Sequence, residues 1–127
     1  MLEPAITPIS SIFYRFFHPE PVDMGVDPFE ASAPSVNRMP FDANQAIPTL
    51  MFLRYRDLFA KRYPQFEVID ISRLSFIAYP LSGGFRPWSL VRSSWVEPIL
   101  KVERTLSMLL AASMAFRLFV VLEKRPL

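Results

Sequence analysis

The chain has no cysteine, one histidine and three glycines among 127 residues. Without thiols it can form no disulfide scaffold, no thiolate nucleophile and no cysteine-ligated zinc centre. That is compatible with a reducing compartment, and the cytoplasm is the expected location. His18 stands alone, which excludes a multi-histidine metal site within one chain. No basic region opens the sequence, and Glu3 and Pro4 interrupt it at once, so no cleavable signal peptide is expected. A long apolar run free of charge is also missing. The nearest approach, "TLSMLLAASMAFRLFVVL" from Thr105 to Leu122, has Arg117 inside it and changes from helical to alternating period near Ser113. A buried helix followed by a buried strand accounts for both features, and the membrane is disfavoured as a partner.

What is present argues for one folded domain over 1–127. About half of the chain is hydrophobic (51%), with twelve phenylalanines, which excludes a disordered tail. Charge is uneven. Residues 1–45 carry two basic against six acidic side chains, and residues 46–127 carry twelve against six. The basic residues are scattered through amphipathic segments, and no nucleic-acid-reading motif accompanies them, so nucleic acid is not expected as a partner.

Along the chain, Thr7-Pro8 reads as a helix cap and first turn. Ile9, Ile12, Phe13, Phe16 and Phe17 then recur at helical spacing up to His18-Pro19. Residues 19–41 form a proline-rich connection holding five of the thirteen prolines. Such a length is either a functional lid or a disordered segment. A second helix is expected from Asp42 to Pro64, with Ala43, Ile47, Leu50, Met51, Leu58 and Phe59 on one face. If Asp42 caps it, Pro48 leaves the Asn44 carbonyl without its helical donor.

"FEVIDIS", residues 66–72, reads as a strand, with Glu67 and Asp70 on opposite faces as suits a sheet edge. A helical region split at Pro98 follows, its second part carrying Ile99, Val102, Leu106 and Leu109 on one stripe. "AFRLFVVLEKR" is apolar on both faces and reads as a strand buried between two layers.

Several motifs attract chemistry and fail on spacing. "LSGGF" lacks the glycine before serine that a nucleophile elbow needs, and lacks the Gly-Lys-Ser/Thr of a phosphate loop; its glycine pair reads as a turn. Glu20, Asp23 and Asp27 follow His18 closely, yet match no EF-hand, and no metal site is expected. Twelve acids offer no pair that stands out for glycoside chemistry.

Taken together, "LEPAITPIS", "FDANQAIPTLMF", "YPLSGGF" and "MAFRLFVVLEK" resemble the carboxy-terminal half of bacterial class I S-adenosylmethionine-dependent methyltransferases. The resemblance implies an α/β fold: a partial Rossmann-like methyltransferase sheet in the order helix, loop, helix, strand, helix, strand, its last two strands an antiparallel pair. Glu3-Pro4 would end the family's fifth strand, 66–72 would be its sixth, and 115–123 its seventh, lying between the other two. The family binds its cofactor through a glycine-rich turn after the first strand and an acidic residue after the second. Neither is found in this sequence, so no cofactor-binding residue is assigned and the chain alone is expected not to hold S-adenosylmethionine, the cofactor of the complete family enzyme.

By position, the resemblance makes Glu3, His18, Asp42, Asn44 and Gln45 substrate-lining residues; no catalytic residue is singled out. Helix capping is the competing role for Asp42 and Asn44. Expected partners are a missing amino-terminal half or a second copy of the chain. The alternative function is a non-enzymatic module that binds a protein or a membrane through apolar surface.

Overall fold

A computed structural model describes residues 1–30, 43–84 and 87–125. Strand β1 (Leu2–Pro4) is followed by helix α1 (Pro8–Phe17), whose start is fixed by a reciprocal capping box. The Ser10 amide donates to Thr7 Oγ1 (3.3 Å) and the Thr7 amide to Ser10 Oγ (2.8 Å). Thr7 is thus the cap that its sequence position implies. The apolar pattern of α1 is inverted: Ser10 and Tyr14 are its buried residues, while Ile9, Ile12, Phe16 and Phe17 are exposed. Ser10 turns inward because its hydroxyl donates to the Ala5 carbonyl (2.7 Å). Tyr14 does so because its phenol donates to the Phe116 carbonyl (2.6 Å).

The second helix begins later than the sequence implies and is broken. Helix α2 (Ile47–Thr49) runs into a π-helical turn (Leu50–Arg54) and then helix α3 (Arg56–Arg62). The Tyr55 amide donates to the Leu50 carbonyl (2.8 Å), five residues back. That wide turn shifts the phase, so Phe52 and Phe59 are buried and Leu58 is exposed.

Strand β2 (Phe66–Leu74) leads to the short helix α4 (Ala78–Leu81), the long helix α5 (Ser93–Met114) and strand β3 (Arg117–Lys124). The sheet order is β1-β3-β2, with β3 antiparallel to both neighbours. The chain is therefore a mixed helix and strand fold on a three-stranded antiparallel sheet. β2 is an edge strand among the described residues, but Glu67 and Asp70 share a face. A bulge between Val68 and Asp70 inserts Ile69 and flips the alternation, so Glu67 pairs with Glu123 and Asp70 with Val121.

Leu118, Val120 and Leu122 of β3 pack, with Val68 and Ile71, on Phe29, Phe52 and Phe59. The other face of β3 is not buried throughout, as a strand between two layers would be: Phe119 is exposed among the described residues. Helix α5 is continuous through Pro98, which removes one backbone bond where the Ser94 turn is already exposed to water. Its inward residues include Ile99, Glu103, Leu106 and Leu110, while Val102 and Leu109 of the expected stripe face solvent.

Candidate functional site

The carboxyl ends of β1 and β2 meet the start of β3, and helices α1, α4 and α5 gather there. Two constructions stand on that end.

The first is a latch between the segment after α1 and the start of α2. His18 ends α1: its amide donates to the Tyr14 carbonyl (3.0 Å), and its Nδ1 accepts from the Glu20 amide (3.3 Å). Gln45 donates its side-chain amide to the Glu20 carboxylate and its backbone amide to the Pro21 carbonyl (2.9 Å). Asn44 grips Asp23 in both directions, accepting from its amide at Oδ1 (2.9 Å) and donating from Nδ2 to its carbonyl (2.7 Å). The same Oδ1 accepts from the Ala46 amide (3.0 Å), so Asn44 also caps the approach to α2. The Asn44 carbonyl, expected to lack a donor, accepts from the Ile47 amide (3.2 Å) because the helix starts only there.

Gln45 is buried, and its Oε1 has no hydrogen-bond partner among the described residues. A buried acceptor left open is uncommon, and it is the position where a donor from a ligand gains most.

The sequence-derived substrate residues are thus partly brought together. His18, Asn44 and Gln45 share the latch. Glu3 sits apart, half-buried on β1 opposite Leu118. Asp42 lies outside the described residues. Glu20 and Asp23 complete the latch and were not assigned to it; the sequence marked them only as unmatched carboxylates. Asp23 and Asp27 each accept the amide two residues ahead (Gly25 and Phe29, both 2.8 Å), which "DMG" and "DPF" announce as side-chain turns. No group of three metal-ligating side chains occurs among the described residues.

The second construction is a groove between the β2–α4 turn and α5. A hollow of about 410 Å³ is lined by Ser75, Tyr79, Val96, Leu100 and Glu103, and an adjoining one of about 460 Å³ continues past Arg73, Arg104 and Ser107. Glu103 is buried in its floor, with Oε1 accepting the Ile77 and Ala78 amides that open α4. Ser75 bends the chain there in the left-handed region (φ 60°), its carbonyl accepting from the Phe116 amide (3.0 Å). The glycine pair closes the far side: Gly83 and Gly84 have φ of 83° and 59°, and a side chain at Gly83 would fall on the Trp88 carbonyl. The pair makes a turn, as its sequence setting implies.

Behind the groove, Tyr79 packs with Phe13 and Phe116, and the Arg117 guanidinium lies 5.1 Å from the centre of its ring. Burial pushes the Tyr14 phenol well above the usual tyrosine range. Burial also raises Tyr79, against the lowering effect of Arg117. Both phenols stay protonated at neutral pH, and that of Tyr14 donates to the Phe116 carbonyl.

No protein-family model, curated protein or solved structure matches the chain.

Proposed function

We propose that the chain is the substrate-side half of a class I S-adenosylmethionine-dependent methyltransferase, inactive alone and completed by a cofactor-binding half. The observation that carries this reading is the strand arrangement. β3 lies between β1 and β2 and runs antiparallel to both, the order expected of the last three strands of that family's sheet. Past Val120, β3 has β2 on one side and no strand on the other among the described residues, and Leu2 and Phe119 are exposed on the uncovered face. A cofactor half would extend the sheet there. In this reading the latch is the substrate cover, and Gln45 Oε1 receives an N–H or O–H of the methyl acceptor.

A chimera tests it. A cofactor half from a class I methyltransferase, fused ahead of Met1, is expected to give a cooperatively melting protein that binds the methyl donor. If that half binds the donor by itself but the fusion neither melts cooperatively nor retains binding, the reading fails. The alternative, a non-enzymatic module that binds a protein or a membrane, draws on the outward apolar residues of α1 and α5. It gains if the chimera fails while the chain alone binds a surface.

A further inference from the structure

The groove between the β2–α4 turn and α5 shares no lining residue with the latch, and its charges are ordered along its length. Its two hollows have Ser75, Leu100 and Glu103 as common walls. The first adds Tyr79, Val91, Val96 and Ile99 and is mainly apolar. The second adds Arg73 and Arg104. An apolar chamber therefore comes first, then a carboxylate, then two arginines.

Glu103 is the unusual member. It is only 6% exposed, and its Oε1 accepts the Ile77 and Ala78 amides. Its other oxygen makes no hydrogen bond, and the residue no ion pair, among the described residues. A carboxylate in this setting gains most from a cationic N–H donor. Arg73 and Arg104 are exposed and likewise form no ion pair among the described residues. Guanidinium groups suit the planar oxygens of a second carboxylate.

We infer that this groove binds a free α-amino acid with a large aromatic side chain. The ammonium donates to Glu103, the carboxylate meets Arg73 and Arg104, and the ring fills the apolar hollow. At about 410 Å³ that hollow has the size of a small-molecule site, and a short aliphatic side chain would leave much of its lining without contacts. A plain apolar carboxylate would leave Glu103 without a cation, and a plain amine would leave the arginines without an anion. S-adenosylmethionine, with a sulfonium and a ribose where the hollow is apolar, does not meet this description. The inference goes beyond the methyltransferase reading and does not depend on it.

Three compounds with one ring test it by ligand-detected NMR titration of the full chain: L-tryptophan, tryptamine, which lacks the carboxylate, and indolepropionate, which lacks the ammonium. L-Tryptophan is expected to bind saturably, roughly tenfold or more tighter than either. Arg73→Gln with Arg104→Gln should weaken L-tryptophan on the order of tenfold without weakening tryptamine. Glu103→Gln keeps an acceptor for α4 and should weaken L-tryptophan and tryptamine but not indolepropionate. Circular dichroism checks folding; if Glu103→Gln does not fold, the arginine pair and the three compounds carry the test. Absence of saturable L-tryptophan binding overturns the inference. So does equal affinity for the three compounds, or unchanged L-tryptophan affinity in the folded arginine variant.

Discussion

Glu103 holds the Ile77 and Ala78 amides with a single carboxylate oxygen. Glu103→Ala strands both donors and is expected to destabilise by about 1–3 kcal/mol, whereas Glu103→Gln keeps an acceptor and is milder. Urea denaturation of the two variants compares them. Tyr14 gives a pH dependence. Its folded-state pKa, and that of Tyr79, lie above the unfolded value, so the unfolded chain loses these protons first. Their contribution is therefore complete below roughly pH 10 and declines as pH rises beyond it. Melting temperature against pH should fall on the alkaline side, and Tyr14→Phe should make that fall shallower; an unchanged slope contradicts the assignment. At this scale the sequence was legible where rules are local. Thr7 before Pro8 and the Gly83-Gly84 pair declare a cap and a turn by backbone chemistry alone. Glu103, Ser10 and Tyr14 were hidden, because hydropathy places them outside and only their distant backbone partners bring them in.

Elements show the same division. The strands at 66–74 and 117–124 announce themselves by β-branched and apolar residues. The bulge at Ile69 and the π-helical turn before Tyr55 do not, since each is a response to packing across the sheet. Pro98 misleads for a related reason: its lost bond falls in exposed turns, where water replaces it and α5 continues. The latch follows from Asn44, whose side chain makes three hydrogen bonds to backbone. Asn44→Ala is expected to lower stability by about 1–2 kcal/mol. Limited proteolysis should then cut within 19–30 before it cuts β2. Unchanged cleavage order would reduce Asn44 to a local cap.

For the whole molecule, the order β1-β3-β2 was not legible from the strand segments themselves, because periodicity in a short strand does not say which neighbour it pairs with. His18, Asn44 and Gln45 meet through hydrogen bonds to Glu20, Pro21 and Asp23, contacts between distant segments that local sequence pattern does not reveal. Among the described residues, the exposed Phe119, the open side of β3 past Val120 and the outward residues of α1 and α5 argue against a compact monomer in dilute solution. Gel filtration with light scattering is expected to show self-association of the chain on its own. The central proposal is that this chain supplies a substrate side and does not hold S-adenosylmethionine by itself. Calorimetric titration of S-adenosylmethionine into the purified chain tests it most directly. The account predicts no saturable heat, since the sequence has no glycine turn between a strand and a helix start to receive the ligand. Saturable one-to-one binding at micromolar concentration would contradict it.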